Sequence, residues 1–230
     1  TRRLYHSLDI KGNFRVIHGG INLEKIEEFR QTHQKSELRR KYNIANDHTV
    51  ISIIGTTCER KGQHIFLDAI KELNSINPED FSKITALIVG GRKGKYLELL
   101  NRRIEKLNLN NVIIFEETSE IYDFFHLSDI FVCASLEESF PRVILEAMAF
   151  ELKIISTDVF GIPEMINNGV EGYLIKAGNY QALAQAINNC LKNPEHSAKM
   201  ARNGHLTIQR KFDAQRLLKK HLETIKKVSL

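Results

Sequence analysis

The chain of 230 residues is 42% hydrophobic and carries 33 Lys and Arg against 28 Asp and Glu, a formal charge of +5. That apolar content supports a full core and excludes a disordered chain. No apolar run approaches the roughly 18 residues that cross a bilayer, and the start, Thr1-Arg2-Arg3-Leu4-Tyr5-His6, lacks the pattern of a signal peptide. The basic residues are interleaved with acids, as in Arg102-Arg103-Ile104-Glu105-Lys106, which reads as solvated helix faces and argues against nucleic acid as a partner.

The predicted elements alternate along the chain. A strand around Phe14-Arg15-Val16-Ile17 ends in Gly19-Gly20, and helical patterns follow from Leu23 to about Gln31 and from Ser36 to Tyr42. Residues 49–54 form a buried strand closing on Gly55, and residues 63–73 its helix, with Ile65, Phe66, Ala69, Ile70 and Leu73 at helical spacing. Then come a strand over 84–89 ending in Gly90-Gly91, a helix over 96–107, a strand over 112–115, a helix over 121–127 and a strand over 130–134. A helix over 141–150 with Pro141 in its first turn is followed by strands over 153–156 and 172–175. Three helices, over 180–191, 195–211 and 214–228, close the chain. A repeat of about 25 to 30 residues suits a βαβ array, so the expected fold is α/β, a doubly wound parallel sheet with a helical C-terminal tail. One domain spans 1–230, with a core over about 14–212 and the last helix over 213–230.

Cys58, Cys133 and Cys190 are odd in number and show no metal-binding spacing, which suits reduced thiols in the cytoplasm. The nine histidines form no HxxxH or HExxH pair, and no Ser/His/Asp order sits on a nucleophile elbow. No metal and no cofactor are expected. The paired Lys219-Lys220 and Lys226-Lys227 on the last periodic helix leave weak contact with an anionic membrane surface open.

The segment Glu138-Ser139-Phe140-Pro141-Arg142-Val143-Ile144-Leu145-Glu146 carries the strongest chemical signal. Each carboxylate can accept two hydrogen bonds side by side, which matches the vicinal hydroxyls of a ribose or hexose. Glu138 falls in a strand-to-helix loop and Glu146 in an apolar helix start, where an acid also gains from the helix dipole. Gly55-Thr56-Thr57-Cys58-Glu59-Arg60-Lys61-Gly62 is neither a Walker loop nor GxGxxG, yet cations and free N–H groups before a helix suit a diphosphate. Gly90-Gly91-Arg92-Lys93-Gly94-Lys95 reads as a similar turn with solvated lysines, and Glu164 and the glycines of 161–172 as turn structure.

Together these residues resemble the donor-binding half of retaining glycosyltransferases with the two-Rossmann GT-B fold, the group 1 family that includes glycogen synthases and bacterial mannosyl- and capsule-sugar transferases. Val16-Ile17-His18-Gly19-Gly20-Ile21-Asn22 resembles the segment leading into that family's C-terminal domain. Residues 55–62 resemble its phosphate loop, Ser128-Asp129-Ile130-Phe131-Val132 the strand before its site, and residues 138–146 its E-x7-E signature. The resemblance implies that Glu146 holds the ribose hydroxyls and that Glu138 faces the donor sugar, with the Ser139 and Phe140 amides beside it. Lys61 would neutralise the diphosphate, aided by Gly55, Thr56 and Arg60. Arg92 and the segment from Phe115 to Ile121 would line the base pocket.

Two departures stand out. Thr56 occupies a position that is commonly arginine in the family, and Pro141 removes a backbone N–H from a turn that is often Gly-Phe-Gly. The resemblance further implies transfer of a hexose from a nucleoside-diphosphate sugar, with retention, to a glycan or lipid-linked acceptor in polysaccharide biosynthesis. The acceptor would bind through an N-terminal half, carrying the family's histidine, that this sequence lacks, so this chain alone is expected to be inactive. A sugar-nucleotide 2-epimerase half and a nucleotide-binding module without turnover are the alternatives.

Overall fold

The computed structural model describes residues 18–228; the predicted strand over 14–17 and Val16-Ile17 lie outside them. Six parallel strands form one sheet: β1 (Thr49–Ile54), β2 (Ile84–Gly91), β3 (Val112–Glu116), β4 (Ile130–Cys133), β5 (Lys153–Thr157) and β6 (Gly172–Ile175), in the order β3-β2-β1-β4-β5-β6. Alternation along each strand feeds two cores. Val50 and Ile54 of β1 pack toward helices α1 (Leu23–Thr32), α2 (Lys35–Lys41), α6 (Ile121–Leu127) and α7 (Arg142–Ala149). Ile51 and Ile53 pack toward α3 (Gln63–Ile76), α5 (Lys95–Leu107) and α8 (Tyr180–Lys192). Both faces are covered, which is why these strands read as continuous apolar runs.

The doubly wound expectation holds, with adjusted boundaries. A four-residue helix α4 (Pro78–Phe81) follows α3; it is too short to show a periodicity and is started by the Asn77 cap and Pro78. Pro141 is the cap before α7 and not its first turn. The predicted helix over 195–211 is α9 (Pro194–Thr207) followed by a π turn (Ile208–Phe212) that tucks Ile208 and Phe212 into the core. The tail helix α10 (Ala214–Val228) begins against the segment that leads into α1: Ile21 N–H donates to Phe212 O at 3.0 Å and Ala214 N–H to Ile21 O at 2.8 Å.

The chain runs from β1 outward through β2 to β3, then returns to the other side of β1 as β4. The connections that leave the carboxyl ends of β1 and β4 therefore lead to helices on opposite faces of the sheet, α3 and α7, which marks the switch point where ligands bind in such folds. The first loop is residues 55–62 and the second residues 134–141.

Candidate functional site

The two loops are locked together by their backbones before any side chain is considered. Leu136 N–H donates to Arg60 O at 2.8 Å. Gly62, at φ +70°, lies so close to β4's end that a Cβ there would collide with the Ala134 carbonyl oxygen. A left-handed conformation and a close approach both demand glycine at this position. The result is that a three-residue 3₁₀ turn (Glu59–Lys61) presents its two cations to the opposite loop.

Lys61 Nζ donates to Glu138 Oε1, Arg60 Nη1 stands 3.3 Å from the same oxygen, and Ser135 Oγ donates to it at 3.3 Å. The Glu138 side chain is 8% exposed while Arg60 is 48% exposed, so a nearly buried carboxylate is held by one sheltered and one open cation. Arg60 also donates to Glu137 O at 2.9 Å. Ser135 was not among the sequence-derived candidates; it is buried, and Thr157 Oγ1 of β5 fixes its carbonyl at 2.7 Å. Its position directly after β4 was the signal available. Beneath the pair lies a cavity of about 10 Å³, one water's worth, bordered by Lys61, Gln63, Cys133, Ser135 and Val143.

Glu146 sits one turn into α7 with its side chain 11% exposed, and among the described residues its one charged partner is Arg142, with Nε at 3.1 Å. Burial pushes its carboxyl above the usual carboxylate range, and Arg142 offsets this only in part. A helix-dipole role alone does not need that burial. Ser139 is exposed at the loop's crown, whereas Phe140 is half-buried, stacked on His18 at 4.7 Å between ring centres and set against Phe212 at 5.8 Å. His18 in turn meets Glu164 at 3.4 Å, and Gly161 abuts the Ser139 carbonyl so closely that no side chain fits. Glu164 thus belongs to the wall of the same loop, a link across sequence that spacing does not reveal.

Gly55 and Thr56 follow β1. Thr56 Oγ1 donates to Glu117 Oε1 at 2.9 Å, and Arg92 Nε to Glu117 Oε2 at 3.2 Å. Those hydrogen bonds, Thr56's first, hold the Glu117 carboxyl below the usual range. Arg92 N–H donates to Thr57 Oγ1 at 3.0 Å, so the rim at β1, β2 and β3 is one connected edge. Phe115 and Ile121 are set apart from the charged cluster. The Phe115 ring is half-buried against Tyr42 at 5.5 Å and Phe124 at 4.8 Å, and Ile121 packs on the same core. Lys93 and Lys95 are exposed, and Cys58, Cys133 and Cys190 are free thiols.

A family described as "Glycosyl transferases group 1" matches residues 34–207. The capsular polysaccharide biosynthesis glycosyltransferase CapM of Staphylococcus aureus is 26% identical over 202 residues, covering 86% of this chain and 50% of that protein. The crystal structure of HepE (Alr3699) of Anabaena in complex with UDP-glucose superposes with a TM-score of 0.82 at 26% identity, over 96% of this chain and 60% of that one. The C-terminal domain of the group 1 protein LpcC of Francisella tularensis shares the fold, with a TM-score of 0.72 at 24% identity over 84% of this chain and 98% of that one. This chain spans about half the length of the curated relatives it matches. Among the described residues, no helix is long and apolar enough to cross a membrane.

Proposed function

The chain belongs to the glycosyl transferases group 1 family, and on that premise we propose that it is the donor-binding half of a retaining hexosyltransferase. The donor is a nucleoside-diphosphate sugar, and the acceptor is a glycan or lipid-linked sugar in polysaccharide biosynthesis. The carrying observation is the convergence of Lys61 and Arg60 on the sheltered Glu138 carboxylate at the switch point. The UDP-glucose held by HepE and the capsular role of CapM support the choice of donor and of pathway class.

In this reading the cations exchange partners. In the free chain Lys61 is neutralised by Glu138; an arriving diphosphate takes the ammonium, and Glu138 turns to the hydroxyls of the transferred sugar. Departure of the nucleoside diphosphate develops negative charge, and Lys61 and Arg60 stabilise it, a contribution on the order of 3 kcal/mol for a well-placed donor. Glu146 accepts from the ribose hydroxyls. Its cost of burial is recovered when two O–H donors replace lost water. The rim joining Thr56, Glu117 and Arg92 borders the base. Attack from the face that the diphosphate leaves gives retention, and Glu138, already paired with two cations, is an electrostatic partner of the sugar and not its covalent nucleophile. The free thiols suit the cytoplasm.

Calorimetric titration with uridine, guanosine and adenosine diphosphates and their sugars tests the reading. Lys61→Ala should weaken diphosphate binding about ten- to hundredfold and leave the nucleoside almost unchanged. Arg60→Ala should show a smaller loss of the same kind, with the double variant less than additive because both cations meet the same oxygens. An equal loss for nucleoside and diphosphate would remove the phosphate role.

A further inference from the structure

Four non-glycine residues among those described have a left-handed backbone: Asn43, Asn108, Glu151 and Phe160. Three of them close helices. Asn43 follows α2, Asn108 caps α5 and Glu151 follows α7, which is where a left-handed residue satisfies the last carbonyls. Glu151 is also tied to Arg30 at 3.0 Å. Phe160 has no such reason. It stands at φ +47° in the loop after β5, ends no helix, and is 74% exposed, the most exposed of the large hydrophobic residues among those described. A bulky aromatic side chain in this conformation is an outlier whose cost the surrounding structure must impose, and such outliers gather at ligand sites.

Its surroundings supply the reason. The next residue, Gly161, is packed so tightly that a Cβ there would collide with the Ser139 carbonyl oxygen and touch the Phe140 ring, so the loop carrying Phe160 is seated on the crown of the donor loop. The Thr157 hydroxyl anchors the start of that loop to Ser135 O, and Ile162 N–H closes it on Val159 O at 3.1 Å. A tightly seated loop therefore holds an aromatic face in solvent next to the Ser139 turn that is proposed to face the transferred sugar. We propose that Phe160 is a stacking platform for a pyranose ring at the mouth of this site, an inference that rests on the sugar-nucleotide reading above. The apolar face of a pyranose covers an aromatic ring and removes both from water, which gives the exposed side chain a partner only when sugar is bound.

The test separates fold, nucleotide and sugar. Phe160→Asn puts a residue that tolerates the left-handed conformation in place of the ring, and Phe160→Tyr keeps the ring. UDP, GDP, UDP-glucose and GDP-mannose are titrated into each variant, and methyl α-glucoside and methyl α-mannoside into each variant saturated with its diphosphate. Phe160→Asn should melt at or above the wild-type temperature and bind the diphosphates as the wild type does. It should bind the diphosphosugar or the methyl glycoside about three- to tenfold more weakly, and Phe160→Tyr should restore that loss. A loss confined to the diphosphosugar assigns the ring to the donor, and one confined to the glycoside assigns it to the acceptor. Unchanged affinity for both sugars in Phe160→Asn overturns the platform while leaving the nucleotide site standing. A wild-type chain that binds no diphosphate and no diphosphosugar overturns both.

Discussion

At the residue scale, the two glutamates of the signature are under opposite kinds of stress, and this gives them opposite mutational signs. Glu138 is satisfied in the free chain by Lys61, Arg60 and Ser135. Glu138→Gln removes the charge that competes with phosphate for Lys61, so affinity for the bare diphosphate should rise a fewfold while the extra affinity for the diphosphosugar disappears. Glu146 is buried with a single charged partner among the described residues, and its raised pKa means that ionisation is less favourable in the folded chain than in the unfolded one. A carboxyl with a raised folded pKa contributes its stability below the unfolded value near 4.5, and that contribution is lost as pH rises through the folded value. Glu146→Gln should therefore raise the melting temperature of the free chain at neutral pH, with the difference shrinking below pH 4.5. The same substitution should weaken nucleotide binding by about 1 to 3 kcal/mol. Thermal melts across pH alongside titrations check this; a variant that is less stable at neutral pH and binds normally would make Glu146 a structural acid.

At the element scale, what matters is how the start of α3 is pinned to the end of β4, and how α2 is stapled to the foot of the same strand. Gly62→Ala forces a Cβ into the Ala134 carbonyl from a left-handed backbone. It should cost more than about 2 kcal/mol and, by displacing the turn that carries Arg60 and Lys61, abolish diphosphate binding. Gly19→Ala meets nothing within 4 Å and should be neutral in both measurements. At the foot, Asp129 accepts from Lys35 at 2.6 Å, Arg39 at 2.6 Å and Val50 N–H at 2.8 Å. Burial pushes its carboxyl up, but Lys35, that N–H and Arg39 more than reverse this, so its pKa lies below the usual carboxylate range. The stability it adds is present above the unfolded pKa and lost as pH falls through the folded one. Acid unfolding should steepen below about pH 4, and Asp129→Asn should flatten that limb at a cost on the order of 2–3 kcal/mol at neutral pH. The periodicity of β1, α3 and α5 and the order of the elements were legible in the sequence because burial on both faces of the sheet writes itself into apolar spacing. The contacts of Gly161 with Ser139, His18 with Phe140, and Glu117 with Thr56 and Arg92 were not. Each joins residues from separate crossovers, and no local pattern carries such a juxtaposition.

At the scale of the whole molecule, every group assigned to the donor lies on one rim of one sheet, at the carboxyl ends of β1 to β5. The cations, carboxylates and aromatic rings form a floor, and among the described residues the Arg60, Ser139 and Phe160 positions face solvent and not an opposing wall. The chain also spans about half the length of its curated relatives. Binding and transfer should therefore separate in this chain. A floor suffices to hold a diphosphate by charge, so titration should give saturable binding that weakens as salt rises, since Arg60 and Lys61 are partly open to solvent. Transfer needs the acceptor aligned on the sugar and water kept out of the cleft, which a one-walled site does not provide. The chain incubated with UDP-glucose or GDP-mannose and a glycan acceptor should release diphosphate no faster than a Lys61→Ala control, while an added partner domain that covers the rim should restore release. Formation of a defined glycoside by this chain alone, sensitive to Lys61→Ala, would show instead that the floor carries the whole reaction.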